Sequence, residues 1–171
     1  MANYFFGLAA NPFTKAHHKV ITDILKDDPK GKVFIGLTDH DYKHIDMPWS
    51  ARNEILEAEL KDLIEAGKVE IYRQNKRSYE FLNNIWDHID YVVVGQDEWD
   101  DLKAGKWHYS QELLEGWKWK VFPREDGVSS TKVRELLRKG ADYDEMKGLI
   151  SEQVYEMTKP YFSKEKTVIC G

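Results

Sequence analysis

The feature that most constrains this chain is a regular alternation of short apolar runs with amphipathic helical patterns up to residue 122. Apolar runs of four or five residues between polar segments are typical of strands that a parallel sheet buries on both faces. The amphipathic stretches between them are long enough to return the chain parallel to the preceding strand. The pattern therefore predicts an open, doubly wound α/β sheet of five parallel strands, at residues 4–8, 33–37, 69–72, 91–94 and 118–122.

The stretches between the strands predict crossover helices at residues 15–25, 50–64 and 78–85. The second has the clearest end signals, with Ser50 as its N-cap and Gly67 just beyond its last turn. After the fifth strand the pattern changes to short helices at residues 130–138, 143–149 and 151–158. The whole is Rossmann-like in plan, with short C-terminal helices. Because 171 residues is close to the roughly 150 of a typical domain, we expect one domain over residues 1–171. Its sheet core would span about residues 3–122, and its late segment and C-terminal helices about residues 127–160.

Charge and cysteine content exclude several classes of function. The chain carries 25 Lys and Arg against 30 Asp and Glu, a net charge of −5, which argues against general binding of nucleic acid or of an anionic membrane. No apolar run approaches the roughly 20 residues that span a bilayer. The single cysteine, Cys170, excludes an internal disulfide. We therefore expect a soluble, unprocessed protein of the reducing cytoplasm that acts on small molecules, with a homo-oligomer left open.

Ligands of open α/β sheets bind at the carboxyl ends of the strands, and one candidate segment there is residues 7–18. It contains a strand end, a turn built on Asn11 and Pro12, and a helix start that carries Thr14 and His17. A spacing of three residues puts the hydroxyl and the imidazole on one face of the helix, beside its free N–H groups. This arrangement suits phosphate oxygens. The alternative is that Thr14 is only an N-cap and His17 an ordinary surface residue.

The second candidate segment follows the fifth strand and opens another helix. It places hydroxyl groups and backbone N–H groups at a helix start, with a guanidinium one turn further on. Capping alone would explain one serine of this segment, but not the whole set. The segment therefore predicts a second phosphate-binding element, formed by Ser129, Ser130, Thr131 and Arg134.

Together the two segments resemble the nucleotidyltransferase superfamily, which carries an H/T-x-x-H motif after the first strand and S-S-T-x-[IV]-R late in the chain. Residues 11–17 are similar to the N-P-x-T-x-x-H form of the nicotinamide or nicotinate mononucleotide adenylyltransferases, and residues 128–134 match the late motif at every defining position. The resemblance covers residues 4–137. It departs from the family at residues 7–12, where Gly-Leu-Ala-Ala-Asn-Pro replaces a glycine-rich G-x-F-x-P. Weaker likenesses occur at residues 41–43 with Arg52, at 78–79, at 95–97, and at Trp107 with residues 112–114.

The resemblance implies an adenylyltransferase. A mononucleotide phosphate would attack the α-phosphorus of ATP in line and release pyrophosphate, giving NAD or its deamido form. It implies that His17 and Thr14 steady the α-phosphate, while Ser129, Ser130, Thr131 and Arg134 hold the β- and γ-phosphates. Mg²⁺ would arrive with ATP and bridge phosphate oxygens, so we expect no dedicated metal ligands.

The resemblance also distributes the remaining candidates between the two substrates. Gly7, Asn11, Gly95 and Asp97 would contact ATP, the last at its ribose. Lys43, Arg52, Tyr79 and Trp107 would serve the pyridine mononucleotide. The indole of Trp107 would stack on the pyridine ring. Trp107 could instead be a core aromatic, with Trp49, Trp99, Trp117 and Trp119 as rival stacking partners.

Two further functions stay open at the level of sequence. One is adenylyl or cytidylyl transfer to another phosphorylated acceptor, such as phosphopantetheine. The other is a nucleotide-sensing domain that has kept the fold and lost turnover. The presence of Thr14, His17 and Arg134 together counts against the sensor, because a pure binder does not require contacts to the transition state.

Overall fold

The computed structural model describes residues 2–39, 45–85, 89–123 and 130–162. Within these residues five strands form one sheet in the order β3-β2-β1-β4-β5, and every pairing is parallel. The chain builds the sheet outward from β1 to β3 and then crosses back, so the order reverses between β1 and β4. The predicted fold class is confirmed, with each strand as long as expected or one or two residues longer: β1 Asn3–Leu8, β2 Lys32–Thr38, β3 Val69–Gln74, β4 Tyr91–Gly95 and β5 Lys118–Phe122.

Eight α-helices connect and follow these strands in the described residues, together with two short 3₁₀-helices at Tyr143–Glu145 and Lys159–Tyr161. Two of them, α5 and α6, were not predicted. The α-helices are α1 Lys15–Asp27, α2 Trp49–Glu59, α3 Lys61–Glu65, α4 Ser78–Ile85, α5 Gln96–Lys103, α6 Ser110–Gly116, α7 Ser130–Arg138 and α8 Glu152–Thr158.

The predicted helix at residues 50–64 is wrong in its start and its continuity. The helix begins at Trp49 with Pro48 as its N-cap, so Ser50 lies inside the first turn and caps nothing. The helical backbone breaks at Leu60, whose φ of −109° and ψ of 16° separate α2 from α3. Leu60 is nearly fully buried, and the break lets it pack into the core. The predicted position of Gly67 just beyond the last helical turn is confirmed, because Gly67 follows α3 with a φ of +73°, a value that favours glycine.

The predicted helix at residues 143–149 is also wrong. Only Tyr143–Glu145 forms a 3₁₀-helix, and the chain then turns at Met146. This turn buries Met146 and Ile150 completely. It also brings the carbonyl of Leu149 to the start of α1. There the carbonyl accepts a hydrogen bond from the backbone N–H of Lys15 at 2.8 Å, an N–H group that has no partner within the helix.

The side chains of the strands alternate between two cores, one on each face of the sheet. Tyr4, Phe6 and Leu8 of β1 pack on the face covered by α1, α2, α7 and α8. Phe5 packs on the opposite face with α4, α5 and α6, against residues such as Leu82. The molecule is thus a three-layer sandwich, as the two-sided burial of the strands predicts. No helix in the described parts of the chain is long and apolar enough to cross a bilayer.

Candidate active site

A cleft of about 460 Å³ opens at the carboxyl ends of β1 and β4, where the strand order reverses. This is the position at which open α/β sheets bind ligands. The structure brings both predicted phosphate-binding segments to this cleft. Eight of the predicted site residues line it: Gly7, Asn11, His17, Gly95, Trp107, Ser130, Thr131 and Arg134.

Thr14 and His17 hold each other through a reciprocal cap at the start of α1. The Thr14 hydroxyl oxygen accepts from the backbone N–H of His17 at 3.3 Å, and the backbone N–H of Thr14 donates to Nδ1 of His17 at 3.1 Å. Since Nδ1 accepts, the hydrogen of the neutral imidazole is on Nε2. Thr14 is 2% exposed and is not part of the cleft lining, so its position is that of a residue that orients His17.

Two aromatic rings fix the plane of the His17 imidazole. Phe13 stacks on it with 5.7 Å between ring centroids and 29° between the ring planes, and Phe6 meets it edge-on at 6.4 Å. Phe13 is buried in the first core. With its plane and its Nδ1 both held, the imidazole presents one hydrogen-bond donor, Nε2–H, in a fixed orientation.

The start of α7 is attached directly to the turn before α1. Ser130 donates its hydroxyl to the carbonyl of Pro12 at 3.0 Å, and Nη1 of Arg134 donates to the carbonyl of Asn11 at 2.7 Å. Nη2 of Arg134 also donates to the Thr131 hydroxyl oxygen at 3.1 Å. The contacts with Pro12 and Asn11 join residues more than a hundred positions apart in sequence, and they place a guanidinium in the cleft that also contains His17.

The charge of Arg134 is partly shielded from water. Burial lowers the pKa of its guanidinium, the carboxylate of Asp46 acts in the opposite direction, and the neighbouring charge of Arg138 lowers the pKa further. A guanidinium nevertheless stays cationic at physiological pH and offers five N–H donors, more than these two hydrogen bonds use. A desolvated cation of this kind interacts strongly with phosphate oxygens.

Arg52 lies beneath the cleft and is not part of its lining. Its side chain is 3% exposed and donates to three backbone carbonyls, those of Met47 at 3.0 Å, Ala9 at 2.7 Å and Thr38 at 2.8 Å. Burial lowers the pKa of this guanidinium and the carboxylate of Asp39 raises it. The structure therefore places Arg52 where it ties the loop after β1 to the end of β2, and its contact with the mononucleotide stays a prediction.

The region of Gly95 contributes a carboxylate that the sequence reasoning did not select. Gly95 is the N-cap of α5 and lines the cleft, but the acidic residue that lines it with Gly95 is Glu98. Asp97, predicted to contact the ribose, is exposed and is not part of the lining. The helical spacing of Gly95 and Glu98 would have identified this residue had α5 been predicted, because positions three apart share a helix face.

Among the five tryptophans in the described residues, Trp107 alone lines the cleft. It is half-buried, and Ser110 fixes its backbone through hydrogen bonds to its N–H and its carbonyl. Of the rival stacking partners, Trp49 and Trp119 donate their indole N–H groups to backbone carbonyls. Tyr79, also predicted to serve the mononucleotide, is not part of the lining, and its ring stacks on Tyr109 with 4.6 Å between centroids.

Two buried side-chain acceptors of the cleft lining, Oδ1 of Asn11 and Oε1 of Gln74, have no hydrogen-bond partner within the described residues. The sequence did not point to Gln74, because a glutamine at the end of a strand belongs to no motif that predicts a site.

Lys43 and Ser129, predicted to bind the mononucleotide and the triphosphate, lie outside the described residues. The described ranges contain no group of three or more His, Cys, Asp or Glu side chains that could hold a metal ion.

The sequence matches a known protein family. A family model for cytidylyltransferase-like proteins matches residues 5–136, which include the turn before α1 and most of α7. No curated protein matches the sequence significantly.

Solved structures share the fold at low sequence identity. A Vibrio parahaemolyticus protein provisionally named a nicotinate-nucleotide adenylyltransferase superposes with a TM-score of 0.69 at 23% identity, over 92% of this chain and 99% of its own. The nicotinic acid mononucleotide adenylyltransferase of Plasmodium falciparum, complexed with NaAD, gives a TM-score of 0.72 at 15% identity, over 94% of this chain and 96% of its own. Its complex with APC gives 0.74 at 14% identity, with the same coverage.

Proposed function

Because the chain belongs to the cytidylyltransferase-like family, we propose that its cleft transfers the adenylyl group of ATP to a pyridine mononucleotide. The acceptor would be nicotinamide or nicotinate mononucleotide, and the products NAD or its deamido form and pyrophosphate. One observation carries the proposal: His17, oriented through Nδ1, and Arg134, anchored to the turn before α1, line one cleft with Trp107. Solved proteins of this fold that are named for the nicotinate reaction give it further support.

The reaction requires positioning and charge stabilisation more than proton transfer. A phosphate oxygen of the mononucleotide forms the new bond to the α-phosphorus, and the bond from that phosphorus to the pyrophosphate oxygen breaks. The attacking phosphate is already ionised at neutral pH, so no protein base is needed. Nε2–H of His17 would donate to the α-phosphate as its negative charge grows. Arg134, Ser130 and Thr131 would hold the β- and γ-phosphates, with Ser129 beside them.

Mg²⁺ would be carried on the triphosphate and would neutralise its charge, with phosphate oxygens and water as its ligands. The described residues fit this arrangement, because the phosphate-binding end of the cleft is built from hydroxyl, imidazole and guanidinium groups. These groups bind phosphate oxygens directly and leave the metal to the nucleotide. Gly95 and Glu98 would contact the ATP ribose, where a carboxylate accepts hydrogen bonds from hydroxyl groups.

We expect Trp107→Ala to raise the KM for the mononucleotide about 2- to 12-fold, because a lost aromatic stack costs roughly 0.5–1.5 kcal/mol. The KM for ATP should stay the same, since the stack is with the mononucleotide. Initial rates with each substrate varied in turn measure both constants. Trp107→Phe keeps a stacking ring and should lose less, and Trp99→Ala, outside the cleft lining, is the matched control. An unchanged KM for the mononucleotide in Trp107→Ala would assign the stacking role to another residue.

The test of the proposed function is pyrophosphate release with a panel of acceptors. ATP and Mg²⁺ are supplied with nicotinamide mononucleotide, nicotinate mononucleotide, phosphopantetheine or glycerol phosphate, and CTP replaces ATP in a parallel set. We expect turnover with ATP and a pyridine mononucleotide. Turnover only with another acceptor, or only with CTP, would replace the proposal with transfer to that acceptor or from CTP. Binding of ATP without turnover on any acceptor would favour a nucleotide-sensing domain. A cytoplasmic location stays a prediction from the sequence, and a homo-oligomeric state stays open.

A further inference from the structure

Two glycines leave a hollow on the second face of the sheet, beside the cleft. Gly7 of β1 and Gly36 of β2 are partners in the parallel register, so two neighbouring positions have no side chain. A Cβ atom at Gly36 would lie 2.5 Å from both Oε1 of Gln74 and the Phe5 ring, and a Cβ at Gly7 would lie 3.2 Å from the same oxygen. The carboxamide of Gln74 therefore occupies the space that these glycines leave.

The orientation of this carboxamide is set by a hydrogen bond. Nε2 of Gln74 donates to the backbone carbonyl of Lys76 at 3.1 Å, which identifies the nitrogen end of the group and directs Oε1 toward the glycines. Gln74 is only 4% exposed, and Oε1 has no hydrogen-bond partner within the described residues. A buried acceptor without a donor is unfavourable, and its presence in a cleft lining calls for an explanation.

The surroundings of Gln74 are those expected of a site for a flat ring. The same cleft is lined by Phe5, Val92 and Trp107, which all belong to the second core. The phosphate-binding groups come from α1 and α7, whose core residues pack on the opposite face of the sheet. A hydrogen-bond donor that reaches Gln74 among these apolar side chains is therefore a substituent of the bound ring. The phosphates and their metal ion would lie at the other end of the cleft.

We propose that Gln74 determines the acceptor by accepting a hydrogen bond from the carboxamide of a nicotinamide ring, so that the enzyme prefers nicotinamide mononucleotide over nicotinate mononucleotide. This inference rests on the proposed function, since it names the acceptor of that reaction. Gln74 is part of the cleft lining, so a ring held there would approach its carboxamide. A nicotinate carboxylate has no hydrogen to donate and would place a negative oxygen against the carbonyl oxygen.

The test compares the two mononucleotides by two independent readouts, kcat/KM with saturating ATP and the dissociation constant from calorimetry. We expect the unmodified enzyme to prefer the amide by a factor of about 10 to 100 in both, the range for one buried hydrogen bond. Gln74→Met keeps the length of the side chain without its polar atoms and should reduce the ratio to near one. Gln74→Lys keeps a donor for the Lys76 carbonyl and should reverse the preference in favour of the carboxylate. Asn75→Ala, at the exposed neighbouring position, should change neither ratio.

The outcomes separate this inference from the proposed function. Turnover of both mononucleotides with a preference for the acid, or a preference for the amide that survives in Gln74→Met, would overturn the role of Gln74 and leave adenylyl transfer intact. Binding of both without turnover would overturn the proposed function, and the ratio of dissociation constants would still decide on Gln74. Failure to bind either mononucleotide would overturn both.

Discussion

Replacing His17 with alanine is expected to lower kcat by two to three orders of magnitude and to leave the dissociation constant of ATP within about twofold, as for a donor that acts mainly in the transition state. The reason is geometric. Nδ1 is engaged by the backbone N–H of Thr14, and the ring is held by Phe13, so Nε2–H is already aimed before ATP arrives. Single-turnover rates and calorimetric ATP binding give the two quantities separately.

A matched variant separates this role from capping, because His17→Ala also removes half of the reciprocal cap of α1. Glutamine at the same helix position can accept from the N-cap backbone N–H, so His17→Gln should keep the stability of the helix and lose the same rate. His18→Ala is the control at the neighbouring position. Parallel losses of rate and ATP affinity in His17→Gln would assign His17 to ground-state binding and contradict the expected role.

Replacing Arg52 with methionine is expected to lower the free energy of unfolding by about 3 kcal/mol, roughly 1 kcal/mol for each hydrogen bond lost to a partly buried carbonyl. The three carbonyls belong to Ala9, Thr38 and Met47, so the substitution loosens the loop after β1 against the end of β2. Urea denaturation measures the change. Activity should fall as well, since the loop that carries Ala9 continues into the turn before α1.

Two comparisons test this account of Arg52. Arg52→Lys keeps a cation but has only one nitrogen to donate, so it should lie between the wild type and Arg52→Met in stability. Lys19→Met removes one partner of an exposed ion pair with Asp23, and such pairs contribute about 0–1 kcal/mol. A loss for Arg52→Met no larger than that for Lys19→Met would contradict the tethering role.

The central strands β1, β2 and β4 could be predicted because each is a short apolar run whose burial on both faces leaves a clear signal in sequence. The edge strands β3 and β5 are less buried, and their apolar residues are interrupted by polar ones. The helices were harder. The α5 segment, Gln96–Lys103, carries only Trp99 and Leu102 as apolar residues, too few for a visible stripe. The break at Leu60 and the turn at Met146 depend on how buried side chains pack against distant elements, which local pattern does not encode.

The same distinction separates the predicted site residues from those that were missed. Thr14 and His17 are three residues apart, and the late segment opens a single helix, so local spacing was enough to propose them. That these segments meet depends on the contact between Arg134 and Asn11, 123 positions apart, which only the fold shows. Gln74, which was missed, is positioned by two glycines of other strands. Arg52 was selected through the resemblance, but its three carbonyl partners have no local signature.

The most direct measurement of the central claim follows a label from the α-phosphate of ATP. The protein is incubated with α-labelled ATP, Mg²⁺ and nicotinamide or nicotinate mononucleotide, and the products are separated by chromatography. We expect the label in a dinucleotide and unlabelled pyrophosphate in equal amount, with His17→Gln slower by the factor given above. Label that stays in ATP, or that appears in AMP or ADP without dinucleotide, would show that the cleft does not transfer an adenylyl group to a pyridine mononucleotide.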